Sequence, residues 1–209
     1  MAKKIIITIA RQYGSGGREI GGRVAEILGI PLYDKELIKD AAAKGNLNED
    51  VLRTSDESAA NSLLYTLAVG SNVVGTTMHF GYKMPINDKL FILQSEVIKE
   101  YASQGSCVVI GRCADYVLRD EPNLFRIFVY GDLDHRQERV KTRHPEVKPS
   151  QIIDIINKTD KRRSSYYNFY TGNKWGKYDN YDMAINSSTL GIEESALLIA
   201  SAVKRLIEE

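Results

Sequence analysis

Ile5-Ile6-Ile7-Thr8-Ile9-Ala10-Arg11-Gln12-Tyr13-Gly14-Ser15-Gly16-Gly17-Arg18-Glu19 is the stretch that decides the fold: a β-branched run breaks into a glycine turn and then into a helix starting near Gly17. An apolar run without alternation is the pattern of a strand buried on both faces, as in a parallel sheet. Glycines let consecutive backbone N–H groups converge on an anion at a helix N-terminus, so the turn reads as a cradle for nucleotide phosphate. Against the common phosphate loop G-x-x-x-x-G-K-[ST], Gly14 and Gly16 sit where expected, with Ser15 between them. Arg11 takes the place of the leading glycine and Gly17 that of the lysine. Arg18 is expected to carry the charge that the lysine would bring, and Glu19 stands near where a hydroxyl would meet magnesium. A glycine turn that binds nothing is the plain alternative, which only the rest of the chain can decide.

The chain has 209 residues, 43% of them hydrophobic and 26% charged, enough for one domain with a real core and an insert. With 28 basic against 27 acidic residues the net charge is +1, which argues against bulk capture of a nucleic-acid polymer. Any positive patch is local and suited to a small anionic ligand. Cys107 and Cys113 lie in or beside an apolar strand-like run and lack zinc spacing, so neither a disulfide nor a resident metal site is expected. Met-Ala-Lys-Lys leads straight into the first strand, and no apolar run approaches the roughly 18 residues of a membrane span. The expectation is a cytoplasmic protein without a membrane partner.

After the loop, Ile20, Val24, Ile27 and Leu28 recur at helical spacing, Gly29 closes the helix, and the chain returns as Ile30-Pro31-Leu32-Tyr33-Asp34, completing a β-α-β unit. Asp34 lies at the carboxyl edge of the sheet, where open α/β folds bind ligands, and equally suits the N-cap of a helix from Lys35. Residues 35–87 lack a clear strand and include the glycine-bearing run from Val69 to Thr77. They read either as an irregular helical layer or as a mobile substrate-holding insert. A helix over Asp88 to Ser103 turns Phe91, Val97, Ile98 and Tyr101 inward with Gln94 in the same stripe, and Gln94 needs a partner, in the core or on a base. The strand Ser106 to Ile110 runs into Gly111 and Arg112. An arginine fork there suits a monophosphate, with a local pair to Asp115 as the plain alternative. The strand Phe125 to Tyr130 ends at Gly131 and Asp132, a second strand-end carboxylate, and Asp134 can cap the next helix.

Arg136, Arg139 and Arg143 share one face of that helix. Pro145 and Pro149 break the chain before a long helix carrying Ile152, Ile155, Ile156, Thr159, Arg163 and Tyr166 on one side, with Lys161 and Arg162 beside them. The pair forms a basic hairpin suited to neutralise a transferring phosphoryl group, giving a lid over residues 132–176. The aromatics from Tyr166 to Trp175 read as packing, Asn180 to Ser188 as a last strand and turn, and the C-terminal helix as packing Leu198, Ile199, Ala202, Val203 and Leu206 inward.

Four blocks together resemble the cytidylate kinase-like branch of the P-loop nucleoside monophosphate kinases: Ile9 to Ile20, Leu32 to Ile38, Val108 to Asp115, and Asp160 to Ser188. The last block is also similar to archaeal-type cytidylate kinases. The resemblance implies a three-layer α/β/α fold with a parallel five-stranded sheet, a nucleoside-monophosphate-binding insert and a lid. It implies transfer of the γ-phosphoryl group of ATP, with Mg2+ on the donor phosphates, to CMP or dCMP, so that the partners are small nucleotides. On this expectation the Gly14 to Gly17 amides, with Arg11, Ser15, Arg18 and Glu19, hold the donor. Asp34, Gln94, Gly111, Arg112 and Asp132 serve the acceptor, while Arg18, Arg139, Arg143 and Arg163 neutralise the transition state. Better-studied cytidylate kinases have Asp where this chain has Ile110, and an acidic lid residue near Arg163. Two readings therefore stay open beside it: a kinase of another small phosphate acceptor, and a non-catalytic nucleotide-binding regulatory module.

Overall fold

Five apolar runs pair in parallel into one sheet: β1 (Ile6–Arg11), β2 (Leu32–Tyr33), β3 (Cys107–Ile110), β4 (Leu124–Tyr130) and β5 (Met183–Asn186), in the order β2-β3-β1-β4-β5. The computed structural model describes residues 3–34, 36–45 and 86–208. The helices among the described residues are α1 (Gly17–Leu28), α2 (Glu36–Gly45), α3 (Ile86–Gln104), α4 (Ala114–Val117), α5 (Leu133–Arg143), α6 (Pro149–Thr171) and α7 (Ser187–Glu208). Residues 35 and 46–85 of the expected insert, including the run from Val69 to Thr77, lie outside the described residues.

The unbroken apolar run of β1 is explained by its central place, since Ile6 to Ile9 pair with β3 on one side and β4 on the other. Successive side chains then enter different layers. Ile5, Ile7 and Ile9 pack with Ile20 and Val24 of α1 and Ile199 and Val203 of α7. Ile6 faces the other way, with Leu37 of α2, Val97 and Ile98 of α3, and Val117 of α4. The result is the expected three-layer α/β/α arrangement. The chain leaves β1 toward β2 and leaves β3 toward β4, so the loops after these neighbouring strands part and open a crevice at their carboxyl ends.

Several boundaries differ from the sequence expectation. The run from Ile30 to Asp34 contributes only the two-residue edge strand β2, because Pro31 has no N–H to donate and joins the sheet through its carbonyl, which accepts from Val108. Asp132, not Asp134, occupies the N-cap position of α5, and its side chain does not cap. Helix α6 continues through the aromatic run to Thr171 and stops at the left-handed Gly172. The aromatics do pack: Phe91 of α3 stacks on Tyr170 at 4.1 Å, and Trp175 meets Phe128 edge-on at 5.3 Å. On α7 the buried stripe is Ala196, Ile199, Ala200 and Val203, while Leu198 and Leu206 are 49% and 40% exposed, a correction to the expected face. One residue turns a helix by roughly 100°, so a stripe centred on Ile199 and Val203 leaves those two leucines outside.

Gly21 lets α1 lie close to the sheet, since a Cβ on it would stand 2.5 Å from Ile110 Cδ1 and 3.1 Å from Ile9 Cδ1. Gly22, its neighbour, has nothing within 4 Å of that position. Gly21→Val should lower the unfolding free energy by about 1–3 kcal/mol through overpacking, whereas Gly22→Ala should raise it by about 0.5–1 kcal/mol through helix propensity. Urea denaturation of the two variants checks the pair, and equal effects would contradict the close approach of α1.

Candidate active site

Gln12 prolongs β1 by one hydrogen bond to the Val129 carbonyl, and Ser15 then closes the turn by donating its N–H and hydroxyl to the Gln12 carbonyl at 3.3 and 2.9 Å. Gly14 and Gly16 are left-handed, with φ of 81° and 78°. Space as well as φ demands glycine there. A Cβ on Gly14 would meet the Arg136 carbonyl at 2.8 Å, and one on Gly16 would collide with Ile192 and stand 3.1 Å from Arg139 Nη2. The loop is therefore wedged between α5 and the start of α7. Ser187 donates to the Ser15 carbonyl at 2.6 Å, and the Gln12 amide oxygen accepts from Gly131 N–H at 3.1 Å. Helix α1 begins without a side-chain cap, which leaves its first N–H groups and positive dipole end directed at the loop.

Three carboxylates distribute the arginines around this loop. Asp160 of α6 accepts Tyr13 N–H at 2.7 Å and the buried Arg136 guanidinium at 2.6 Å, and Arg136 also donates to the Tyr13 carbonyl. One turn further, Arg163 donates to the Arg11 carbonyl at 3.1 Å and lies over the Tyr13 ring. Glu19 in the first turn of α1 takes both Arg139 and Arg143 of α5. Partial burial opposes its charge, yet the two guanidiniums hold its carboxyl below the usual range. Arg18 turns away from the loop to Asp34, whose carboxylate it meets at 2.5 Å.

Two clefts flank the loop. The larger, about 270 Å3, is lined by Gly14, Ser15, Arg136, Arg139, Ser187 and Gly191. The smaller, about 20 Å3, is lined by Arg11, Gly111, Arg112, Asp115, Arg163 and Tyr167 among others. Its wall is a strained turn in which Gly111, Arg112 and Cys113 are all left-handed, at φ 69°, 58° and 54°. Two such non-glycine residues in succession persist only where the surroundings impose them. Arg112 is thereby held 7% exposed at the end of β3. Behind it, Tyr167 donates to the buried Asp115 at 2.7 Å. Burial pushes the Asp115 carboxyl up despite this bond, and burial together with the Asp115 charge pushes the Tyr167 phenol up.

The structure thus brings Arg11, Gly111, Arg112 and Arg163 into one cleft, and Gly14, Ser15 and Arg139 into the other. Asp132 is exposed and accepts from Asn186 at the start of α5. Gln94 is 1% exposed, between Leu90 and Ile98 of the core, and its Oε1 has no hydrogen-bond partner among the described residues. Sequence reasoning gave no role to Asp160 or Tyr167 and weighed Asp115 only as an ion-pair partner of Arg112. Asp160 was legible in one respect, since it lies three residues before Arg163 on the same helical face. Among the described residues no helix is long and apolar enough to cross a membrane, and no three His, Cys, Asp or Glu side chains stand together as a metal site.

Among solved structures, an uncharacterized protein from Eubacterium ventriosum is 27% identical and similar over 96% of this chain and 99% of its own, with a TM-score of 0.68. A shikimate kinase from Bacteroides thetaiotaomicron (11% identity, TM-score 0.54, 97% of this chain and 99% of that one) shares the fold. So does a gluconokinase from Sinorhizobium meliloti (16% identity, TM-score 0.52, 100% of this chain and 96% of that one). No curated protein matches the sequence. Residues 6–189, a span that includes the whole sheet, the glycine loop and both arginine-bearing helices, match the model of one family. The chain belongs to the cytidylate kinase-like family.

Proposed function

We propose that the protein transfers the γ-phosphoryl group of ATP to a nucleoside monophosphate, CMP or dCMP. The observation that carries this reading is a pair of clefts at the two ends of one glycine loop, one bounded by loop residues and α5, the other a narrow cleft bounded by Arg11, Arg112 and Arg163. The larger cleft lies near the lower end of small-molecule pockets, about 300 Å3, and takes the donor. In the smaller one the Arg112 guanidinium has the planar fork that clamps phosphate oxygens. A phosphate oxygen of the acceptor attacks the γ-phosphorus as its bond to the β,γ-bridging oxygen breaks, and ADP leaves with the electron pair. The loop amides and the end of α1 hold the donor phosphates, Arg112 the acceptor phosphate, and Arg139, Arg143 and Arg163 the charge on the transferring group. Mg2+ carried on the donor phosphates would add neutralising charge, its ligands being mainly phosphate and water oxygens, as is common for this ion.

Helices α5 and α6 belong to the 132–176 lid of this proposal, and residues 35–87 to the acceptor-holding insert. Gln94, buried with an acceptor oxygen that has no partner among the described residues, is the polar group this proposal assigns to a base contact. Ile110 favours a second reading, a kinase of another small acceptor: it is fully buried against Gly21 and offers no polar group to a base. An ADP-release assay with ATP, Mg2+ and a panel of nucleoside monophosphates separates the two. Turnover with CMP or dCMP is the expected result, and ATP binding without turnover on any of the panel would leave another acceptor or a non-catalytic nucleotide-binding role.

CMP at about 100 times its Kd should stabilise the fold by roughly 2.7 kcal/mol. Arg112→Ala should remove most of that protection and leave stabilisation by ATP in place, as read by thermal unfolding with each nucleotide. Loss of both protections would place Arg112 in the fold instead of the acceptor site. Glu19→Gln releases Arg139 and Arg143 and should lower kcat more than it raises KM. Because the folded-state carboxyl of Glu19 is depressed, its stabilising contribution is full at neutral pH and disappears as the pH falls through that depressed value. The half-exposed cluster limits the contribution to under about 1 kcal/mol. Unfolding curves of wild type and Glu19→Gln should therefore differ at pH 7 and converge in acid, and a difference that grows in acid would refute the pairing.

A further inference from the structure

The loop has lost the lysine of the common phosphate loop, and Gly17 stands in its place. Arg18 is the nearest cation in sequence, but it is half-exposed and paired with Asp34 at the end of β2. Arg11 stands where the common loop has its first glycine, six residues before the missing lysine. A Cβ built on Gly17 would lie 2.6 Å from Arg11 Cβ and 3.2 Å from Arg11 Cγ. The aliphatic stem of Arg11 therefore fills the space into which a side chain at position 17 would grow. Gly17 is helical and its φ lies outside the left-handed region, so the backbone does not require glycine there; the Arg11 stem and Val129, 3.2 Å away, do. Arg11 also lines the cleft that Arg112 and Arg163 share, and its own carbonyl is held by Arg163.

We infer that the two positions have exchanged roles: Arg11 crosses the loop to supply the donor-phosphate cation that lysine supplies from position 17 elsewhere, and Gly17 is glycine to admit it. This rests on the proposed use of ATP. The exchange also gives the loop a planar, multiply donating cation in place of a point charge, and one that stands between the donor loop and the acceptor arginine.

Calorimetric titration with ATP and Mg2+ tests the inference on the full chain. Arg11→Met keeps the stem that packs on Gly17 and Val129 but removes the charge, and should weaken ATP binding by about tenfold to a hundredfold with little change in thermal stability. Gly17→Lys alone should also weaken it, because the new side chain collides with Arg11. The double variant Arg11→Gly, Gly17→Lys, which restores the common arrangement, should recover most of the affinity lost in Arg11→Gly. An Arg11→Met protein that binds ATP like wild type, a double variant no better than Arg11→Gly, or a loss of affinity in Arg18→Met in place of Arg11→Met each overturns the exchange while leaving the kinase reading intact. A wild-type chain that does not bind ATP removes both.

Discussion

One carboxylate, that of Asp160, joins the parts of the site. It rides on α6, accepts the amide of Tyr13 in the glycine loop, and holds the guanidinium of Arg136 on α5. Because Arg136 in turn donates to the Tyr13 carbonyl, the residue at the mouth of the loop is gripped at both its N–H and its C=O. The positions of three further cations follow. With α5 pinned here, Arg139 and Arg143 reach Glu19 at the start of α1, and with α6 pinned here, Arg163 reaches the carbonyl of Arg11. Beneath this polar grip Tyr13 also packs against Val140, Ile152 and Ile156, so the two helices and the loop share a small apolar core.

The electrostatic economy of the site explains how a chain of net charge +1 assembles a strongly basic crevice. Four of the arginines near the loop are accompanied by a carboxylate that fixes their place: Asp34 for Arg18, Glu19 for Arg139 and Arg143, Asp160 for Arg136. Long side chains lose rotamer freedom when they bind, and a carboxylate that holds them beforehand removes part of that cost. The pairs are worth little as stabilisers where they are exposed. Their value lies in position, since phosphoryl transfer depends on cations already standing where charge develops.

On the other side of the crevice the positioning device is backbone strain. Three successive left-handed residues turn the chain sharply at the end of β3 and bury Arg112 instead of letting it run into solvent. The buried Tyr167–Asp115 hydrogen bond ties α6 to α4 just behind that turn. Helix α6 thus serves the loop through Asp160 and Arg163 and the strained turn through Tyr167, and its Arg163 and Tyr167 line the smaller cleft.

The order of strands and helices, the central apolar strand and the glycine loop were legible in the residues, because burial on two faces and a left-handed turn each leave a pattern in consecutive positions. So was the shared face of Arg136, Arg139 and Arg143 on α5, from helical periodicity alone. The particular partners were not. Arg18, adjacent to the loop in sequence, pairs with Asp34 across the β-α-β unit, whereas Arg11, at the far end of the loop, occupies the space beside Gly17. Leu198 and Leu206 look as apolar as Ile199 and Val203, and only the angle at which α7 meets the sheet chose between them. The partners of Asp160, Asp115 and Tyr167 left no local signal, since their roles arise from contacts 147 and 52 residues away along the chain. Sequence by itself determined the elements and the loop, which depend on near neighbours; tertiary structure decided which charge meets which, because that depends on how the helices close over the sheet.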